Sequence, residues 1–236
     1  MHKILISIIL AAFPLISVGQ LSFEKAGERA SRFFANKEWA SASAVYTYML
    51  DLRPADASIY GRAIVSAAEM ADTTATMQLL NRAMKAAVPL DSVLSAVQDV
   101  SFEVGNGNFY ERFLLRAAHT YPWMSRPIDS YLLRYYTFRR NGPRMVEYAQ
   151  KMLRGVPYDT TFLSILADGY MTDGDLTQAA RTWERILVLD SDNYSALLCL
   201  ANYHNLSGRP DLADPYFRRA AAIRPTPYVA TRLATK

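Results

Sequence analysis

The residues able to do covalent or metal chemistry are few and scattered. Histidines stand at positions 2, 119 and 204, and Cys199 is the single cysteine. There is no H-E-x-x-H helix and no cysteine pair, so no metal-ligand spacing arises, and neither a metal nor a cofactor is expected. Ser22-Phe23-Glu24-Lys25 has the S-x-x-K spacing of a lysine-assisted serine nucleophile, and Ser191-Asp192-Asn193 has the S-D-N triplet that accompanies it. The third element, K-T-G, is absent. Ser22 lies too near the expected mature end to be held rigid, and Ser191 to Asn193 suit a turn. Gly105-Asn106-Gly107 lacks the preceding strand of a phosphate loop and reads as a turn between helices. Cys199 falls inside a helical pattern, where a buried thiol is inert. His119 closes a helix, where a cation favours the dipole. No acid, base and nucleophile converge, so the chain is expected not to be an enzyme.

Residues 121–144 carry a different chemistry. Arg126, Arg134, Arg139, Arg140 and Arg144 stand against Asp129 alone, with Tyr131, Tyr135, Tyr136 and Phe138 between them. Basic side chains interleaved with aromatics suit stacking on an anionic ligand. For an exported chain this points to an acidic protein or an envelope glycan, and no nucleic-acid partner is expected. The bland alternative is that Leu132 and Tyr136 are core and the arginines form a solvated face.

The elements that must position these residues are set by a repeat. Leu163, Leu166, Ala167, Gly174, Ala179, Trp183, Ile186 and Leu189 recur 34 residues later as Leu197, Leu200, Ala201, Gly208, Ala213, Phe217, Ala220 and Ile223. Tyr170 meets His204 at the same offset, which makes His204 a packing residue. Leu163, Leu166, Ala167 and Tyr170 have the 3-4 spacing of one buried helical stripe. Asp173-Gly174-Asp175 breaks that helix, and a second helix is expected to bury Leu176, Ala179, Trp183 and Ile186. Residues 23–56 repeat the pattern with Ala30, Phe33, Trp39, Ala42, Tyr46, Met49, Leu52 and Pro54, and Asn36 stands in the slot of the turn glycine. This end is offset from 160–193 by four periods plus one inserted residue. Degenerate units are marked by Tyr60, Leu80 and Ala83; by Leu94, Val97, Gly105, Leu114, Ala117 and Pro122; and by Leu132, Leu133, Tyr136, Met152 and Pro157.

These residues resemble the tetratricopeptide repeat (TPR) family: a small residue and an aromatic on the first helix, a glycine turn, then alanine, a large residue, alanine and proline. His204 and Ser191 depart from that pattern. The resemblance implies an all-α, right-handed superhelical array of helix-turn-helix repeats with about six units, near 23–56, 57–89, 90–122, 125–157, 160–193 and 194–227. A short capping segment, 228–236, follows. No unit hides both its faces alone, so residues 20–236 are expected to form one α-solenoid. So short a cap implies a thinly covered sixth unit, with an apolar patch open to self-association or docking.

In the family, first helices line the ligand groove. Carried over slot by slot, the expected partner-binding residues are Phe102, Arg134, Phe138, Asp168, Met171, Leu198, Asn202 and Asn205, with Ser95, Asp99, Ser130 and Ser164 beside them. An asparagine at 202 offers a donor and an acceptor to an extended peptide backbone, and Arg134 a fork for a carboxylate. Gly27 and Ser31 stand where the chaperone-binding subfamily has its carboxylate-gripping residues, so chaperone binding is not expected. The expectation is a non-catalytic scaffold for a protein or peptide ligand, with a glycan-binding protein using 121–144 as the alternative.

The chain has 236 residues, is 51% hydrophobic and carries a formal charge of +4. That is too apolar for a disordered chain, and its mild, dispersed basicity does not itself call for nucleic acid. Lys3 precedes an apolar run, Ile4 to Ile16, broken by Pro14, and Ser17-Val18-Gly19 then offers small residues for a signal peptidase. Residues 1–19 are therefore expected to be a cleaved signal peptide, with a periplasmic or secreted product. The run is too short to span a bilayer and no lipid-accepting cysteine follows it, so no stable membrane anchor is expected. The Gln20 start, with Asp72-Thr73-Thr74, Asp91-Ser92-Val93 and Asp159-Thr160-Thr161, resembles the export and O-glycan signals of Bacteroidetes-type bacteria. The same triplets also suit helix caps.

Overall fold

The computed structural model describes residues 22–234. The expected signal peptide and its cleavage site lie outside them, as do the last two residues. Thirteen α-helices and no strand occur among the described residues. They run α1 (Phe23–Ala35), α2 (Trp39–Leu52), α3 (Ala57–Glu69), α4 (Thr73–Lys85), α5 (Leu90–Glu103), α6 (Gly107–Thr120), α7 (Ser125–Phe138), α8 (Gly142–Leu153), α9 (Thr160–Asp173), α10 (Leu176–Leu189), α11 (Tyr194–Leu206), α12 (Pro210–Ile223) and α13 (Pro227–Ala234). A 3-10 turn, Pro122–Met124, precedes α7. The fold is a series of TPR-like helical hairpins in two compact units, divided within α6 between Tyr110 and Glu111.

The backbone carries the repeat more regularly than the side chains do. Left-handed residues occur at Lys37, Ala71, Gly105, Arg140, Gly174 and Gly208, each in the turn between the two helices of one hairpin, and at Ala87 in the link between α4 and α5. The spacings of the hairpin turns are 34, 34, 35, 34 and 34 residues. The single inserted residue thus lies between the third turn and the fourth. In the first hairpin the left-handed residue is Lys37, while Asn36 keeps φ −81° as the helix C-cap. The expectation that Asn36 replaces the glycine is therefore corrected by one position. Only three of the six turns use glycine. A non-glycine residue there costs roughly 1–2 kcal/mol.

In the first unit, α1 packs on α2, α2 on α3, α3 on α4, and α3 on α5. A Cβ added to Gly61 of α3 would lie 2.8 Å from the backbone carbonyl carbon of Ala96 in α5, so the α3–α5 approach requires glycine. Arg62 bridges the same pair of helices, its two terminal guanidinium nitrogens each donating to the Glu103 carboxylate at 3.3 Å. The core includes Ala30, Phe34, Ala42, Tyr46, Tyr60, Ile64 and Leu80, all buried.

In the second unit, α7 packs on α8, α8 on α9, α9 on α10, α10 on α11, and α11 on α12. The 34-residue register is visible as burial: Leu163, Ala167, Leu197, Leu200 and Ala201 are buried on the first helices, and Ala179, Trp183, Ala213 and Phe217 on the second. Leu176 departs from expectation at 45% exposure. It is the first helical residue after the Asp175 cap, so its side chain projects from the helix start and not from the packed stripe. Leu189 and Ile223 are also exposed, at the far ends of α10 and α12.

Helix starts are fixed locally. Asp56, Asp72, Asn141, Asp159, Asp175 and Asn193 each accept a hydrogen bond from a backbone N–H of the first turn. Two of the three Asp-Ser/Thr triplets thus include caps. Asp91 lies inside the first turn of α5, whose N-cap is Pro89.

Candidate functional site

The first helices of the second unit, α7, α9 and α11, have one side in the core. Ile128, Leu132 and Leu133 of α7, Leu163, Leu166 and Ala167 of α9, and Leu197, Leu200 and Ala201 of α11 are buried. Their remaining faces carry seven of the eight residues expected to bind a partner. Arg134, Phe138, Asp168 and Met171 are exposed; Leu198, Asn202 and Asn205 are half-buried. Phe102, exposed on α5, belongs to the first unit, and its ring lies within 2.9 Å of where a Cβ on Gly107 would stand.

Electrostatic contacts link successive first helices. Asp168 has its carboxyl pKa raised, chiefly by desolvation and partly offset by the Arg140 guanidinium in the turn after α7. Cys199 on α11 is pushed up to about 11 by burial and by the Asp168 charge. At neutral pH it is therefore a protonated thiol and a poor nucleophile. Asp168 thus lies within electrostatic reach of both neighbouring first-helix hairpins.

Two of the serines beside these residues bond back to their own helices. Ser130 Oγ donates to the Pro127 carbonyl at 2.7 Å, and Ser164 Oγ to the Thr160 carbonyl at 2.8 Å. Arg134 lies 4.5 Å from the centre of the Tyr131 ring, one turn earlier on the same helix. That contact orients the guanidinium without neutralising it.

The end of the chain changes the reading of α11. Tyr228 of α13 donates its hydroxyl to Asn202 Oδ1, so one half of the expected backbone-gripping amide is already engaged. Val229 is fully buried against Ala201, Ala213 and Phe217, and Leu198 packs on the same cluster. Leu198 is thus partly a core residue. The sixth unit is better covered than expected, because eight helical residues suffice to close it. Leu206 at 81% exposure and Leu212 at 49% remain open beside it.

The aromatic content of 121–144 divides in two. Tyr135 and Tyr136 are buried. Tyr136 donates to Glu111 Oε1 at 2.7 Å and packs at 5.3 Å from the Tyr148 ring. Burial and the Glu111 bond both raise its pKa. Arg144 is held by Glu147 at 2.6 Å. These three residues are structural and leave Tyr131, Phe138, Arg134 and Arg139 at the surface.

His204 sits in the packing slot assigned to it. It is buried, and its ring lies stacked 5.6 Å from that of Tyr216. Burial, reinforced by Arg209, holds its pKa below the ordinary value. Among the described residues no cluster of three or more His, Cys, Asp or Glu is placed to hold a metal ion.

Comparison with known proteins places the fold. The chain is similar to the C-terminal part of a TPR repeat-containing protein from Cytophaga hutchinsonii. The two share 17% identity at a TM-score of 0.50, over 86% of this chain and 79% of that one. It is likewise similar to MamA from AMB-1, with 17% identity and a TM-score of 0.51 over 79% of this chain and all of that one. No protein-family model and no curated protein sequence matches the chain. At such identity the likeness describes the architecture: all-helical, TPR-like repeats.

Proposed function

We propose that this chain is a non-catalytic scaffold that binds a protein or peptide partner across the first helices of its second unit. The observation carrying this reading is the division of α7, α9 and α11 into a packed side and an open side. The open side presents Arg134, Phe138, Asp168, Met171 and Asn205 at related positions of successive hairpins. Open apolar tips (Phe138 is 70% exposed) beside a cation, an anion and an amide form the mixed surface that recognises peptide. The family resemblance supports the same face. The polar start and apolar run at residues 2–16 support export, so the site of action is proposed to be the cell envelope or beyond it. No helix among the described residues is long and apolar enough to cross a membrane.

The test is retention of a native partner by immobilised protein. A Phe138→Ala/Met171→Ala/Asn205→Ala variant removes three contacts without touching a fully buried side chain. Retention is expected to fall by about tenfold or more, the scale at which one or two anchor residues are lost. Unchanged retention with an unchanged melting curve would place the binding surface elsewhere.

A further inference from the structure

A second feature of the same unit lies on the other side of α9. Between α8, α9 and α10 the surface opens into a cleft of about 430 Å³. Leu153 and Leu166 contribute apolar walls, and Gln150 reaches across one end to donate its amide to the Tyr170 hydroxyl at 3.0 Å. Three arginines line it as well, Arg154 from just past the end of α8 and Arg181 and Arg185 from α10, together with Pro157, Gln178 and Thr182. No aspartate or glutamate lines the cleft.

These arginines are a concentrated charge without an answer inside the protein. Among the described residues none of the three forms an ion pair. The charge of Arg154 is felt by Asp129, but that carboxylate has Lys151 as its partner at 4.0 Å. Arg181 and Arg185 are one helical turn apart on a single face, an arrangement that repels and destabilises a helix unless an anion joins it. Elsewhere the same unit pairs some of its cations, as in Arg144–Glu147, Lys151–Glu147 and Arg218–Asp214. Other arginines of the unit also lack an ion pair; what sets these three apart is that they converge on one concave place with apolar walls.

We propose that this cleft binds an acidic peptide segment, its carboxylates held by Arg154, Arg181 and Arg185 and an intervening apolar side chain set against Leu153 and Leu166. Guanidinium forks match carboxylates in two-point geometry, and the apolar walls favour a peptide over a bare inorganic anion. The peptide character of the ligand rests on the scaffold reading; the site is distinct from the open face of α7, α9 and α11.

The experiment is fluorescence anisotropy with a labelled peptide in which Asp and Glu alternate with Leu. Its twin carries Asn and Gln in place of the acids, and inorganic pyrophosphate serves as competitor. The whole protein should bind the acidic peptide about tenfold or more tighter than the twin. Arg181→Ala/Arg185→Ala should weaken that binding by about tenfold or more, as expected for loss of two guanidinium–carboxylate contacts. Arg29→Ala/Arg32→Ala, equal in net charge but on α1, should leave it within about twofold, because it removes none of the three cleft guanidinium groups. Equal binding of the twin, equal loss in both variants, or a preference for pyrophosphate that excludes the peptide would each overturn the proposal. The Phe138→Ala/Met171→Ala/Asn205→Ala variant separates the two readings. If it loses the native partner while Arg181→Ala/Arg185→Ala keeps both partner and peptide, the scaffold stands and this site falls.

Discussion

Trp183→Ala should cost about 3–5 kcal/mol, the usual price of removing a large buried aromatic. That corresponds to a fall in Tm of roughly 10–20 °C for a cooperative unit of this size. Trp183 is 5% exposed on α10, a helix packed between α9 and α11, so its loss opens a void on two hairpins at once. Trp183→Phe should be much milder, because Phe217 fills the equivalent slot one hairpin later at 3% exposure. Calorimetry of the two variants gives the size of the effect, and hydrogen exchange gives its location. Repeat arrays are held by nearest neighbours, so protection should drop across α9 to α11 and be retained in α1 to α4. A uniform loss over both units would contradict that architecture, and a loss below 1 kcal/mol would contradict the packing.

Gly142→Ala adds a single methyl group and should nevertheless destabilise by about 2–3 kcal/mol, at the upper end for overpacking. A Cβ at this position would lie 2.7 Å from the Asp173 backbone nitrogen, 3.0 Å from the Gly169 carbonyl oxygen and 3.1 Å from the Asp173 Cα. All three are backbone atoms, so nothing yields by changing rotamer and α8 must move off α9. Gly174→Ala is the matched control. Gly174 has φ +88° with open space around it, so alanine there meets only the conformational penalty, about 1 kcal/mol. Chemical denaturation of the pair should rank Gly142→Ala well below Gly174→Ala. The opposite order would mean that α8 and α9 are not in the contact described.

Much of this fold can be read in the residues. Where two hairpins share apolar slots at a fixed offset, as Leu163 and Leu197 or Trp183 and Phe217 do, burial follows the pattern. Gly174 and Gly208 announce their turns because the left-handed conformation favours glycine. Lys37, Ala71 and Arg140 adopt the same conformation without that signal, so three turns of equal geometry are silent in the sequence. The close α3–α5 and α8–α9 approaches are hidden for a related reason: Gly61, Gly142 and Gly169 look like poor helix residues until the facing backbone is known. Leu176 misleads because helical periodicity does not say which residue begins the helix.

The candidate site is legible only in part. The exposed slots of α7 and α9 follow from helical phase, since Arg134 and Asp168 lie opposite the buried stripe and Met171 lies at its edge. The fate of Asn202 depends on Tyr228, which reaches it from a helix outside the repeat register. Arg154, Arg181 and Arg185 form no charge run and converge only because α8, α9 and α10 pack together.

The central claim, that the open side of these first helices is a partner-binding face, is tested most directly by photo-crosslinking from defined positions. A benzophenone side chain introduced separately at Met171 and Asn205 on the first helices, and at Arg218 on the second helix α12, is activated in the protein's native setting. The account predicts the same discrete adduct from Met171 and Asn205, lost when excess unlabelled protein competes, and none from Arg218. Adducts from Arg218 alone, or equal unspecific adducts from all three, would contradict it.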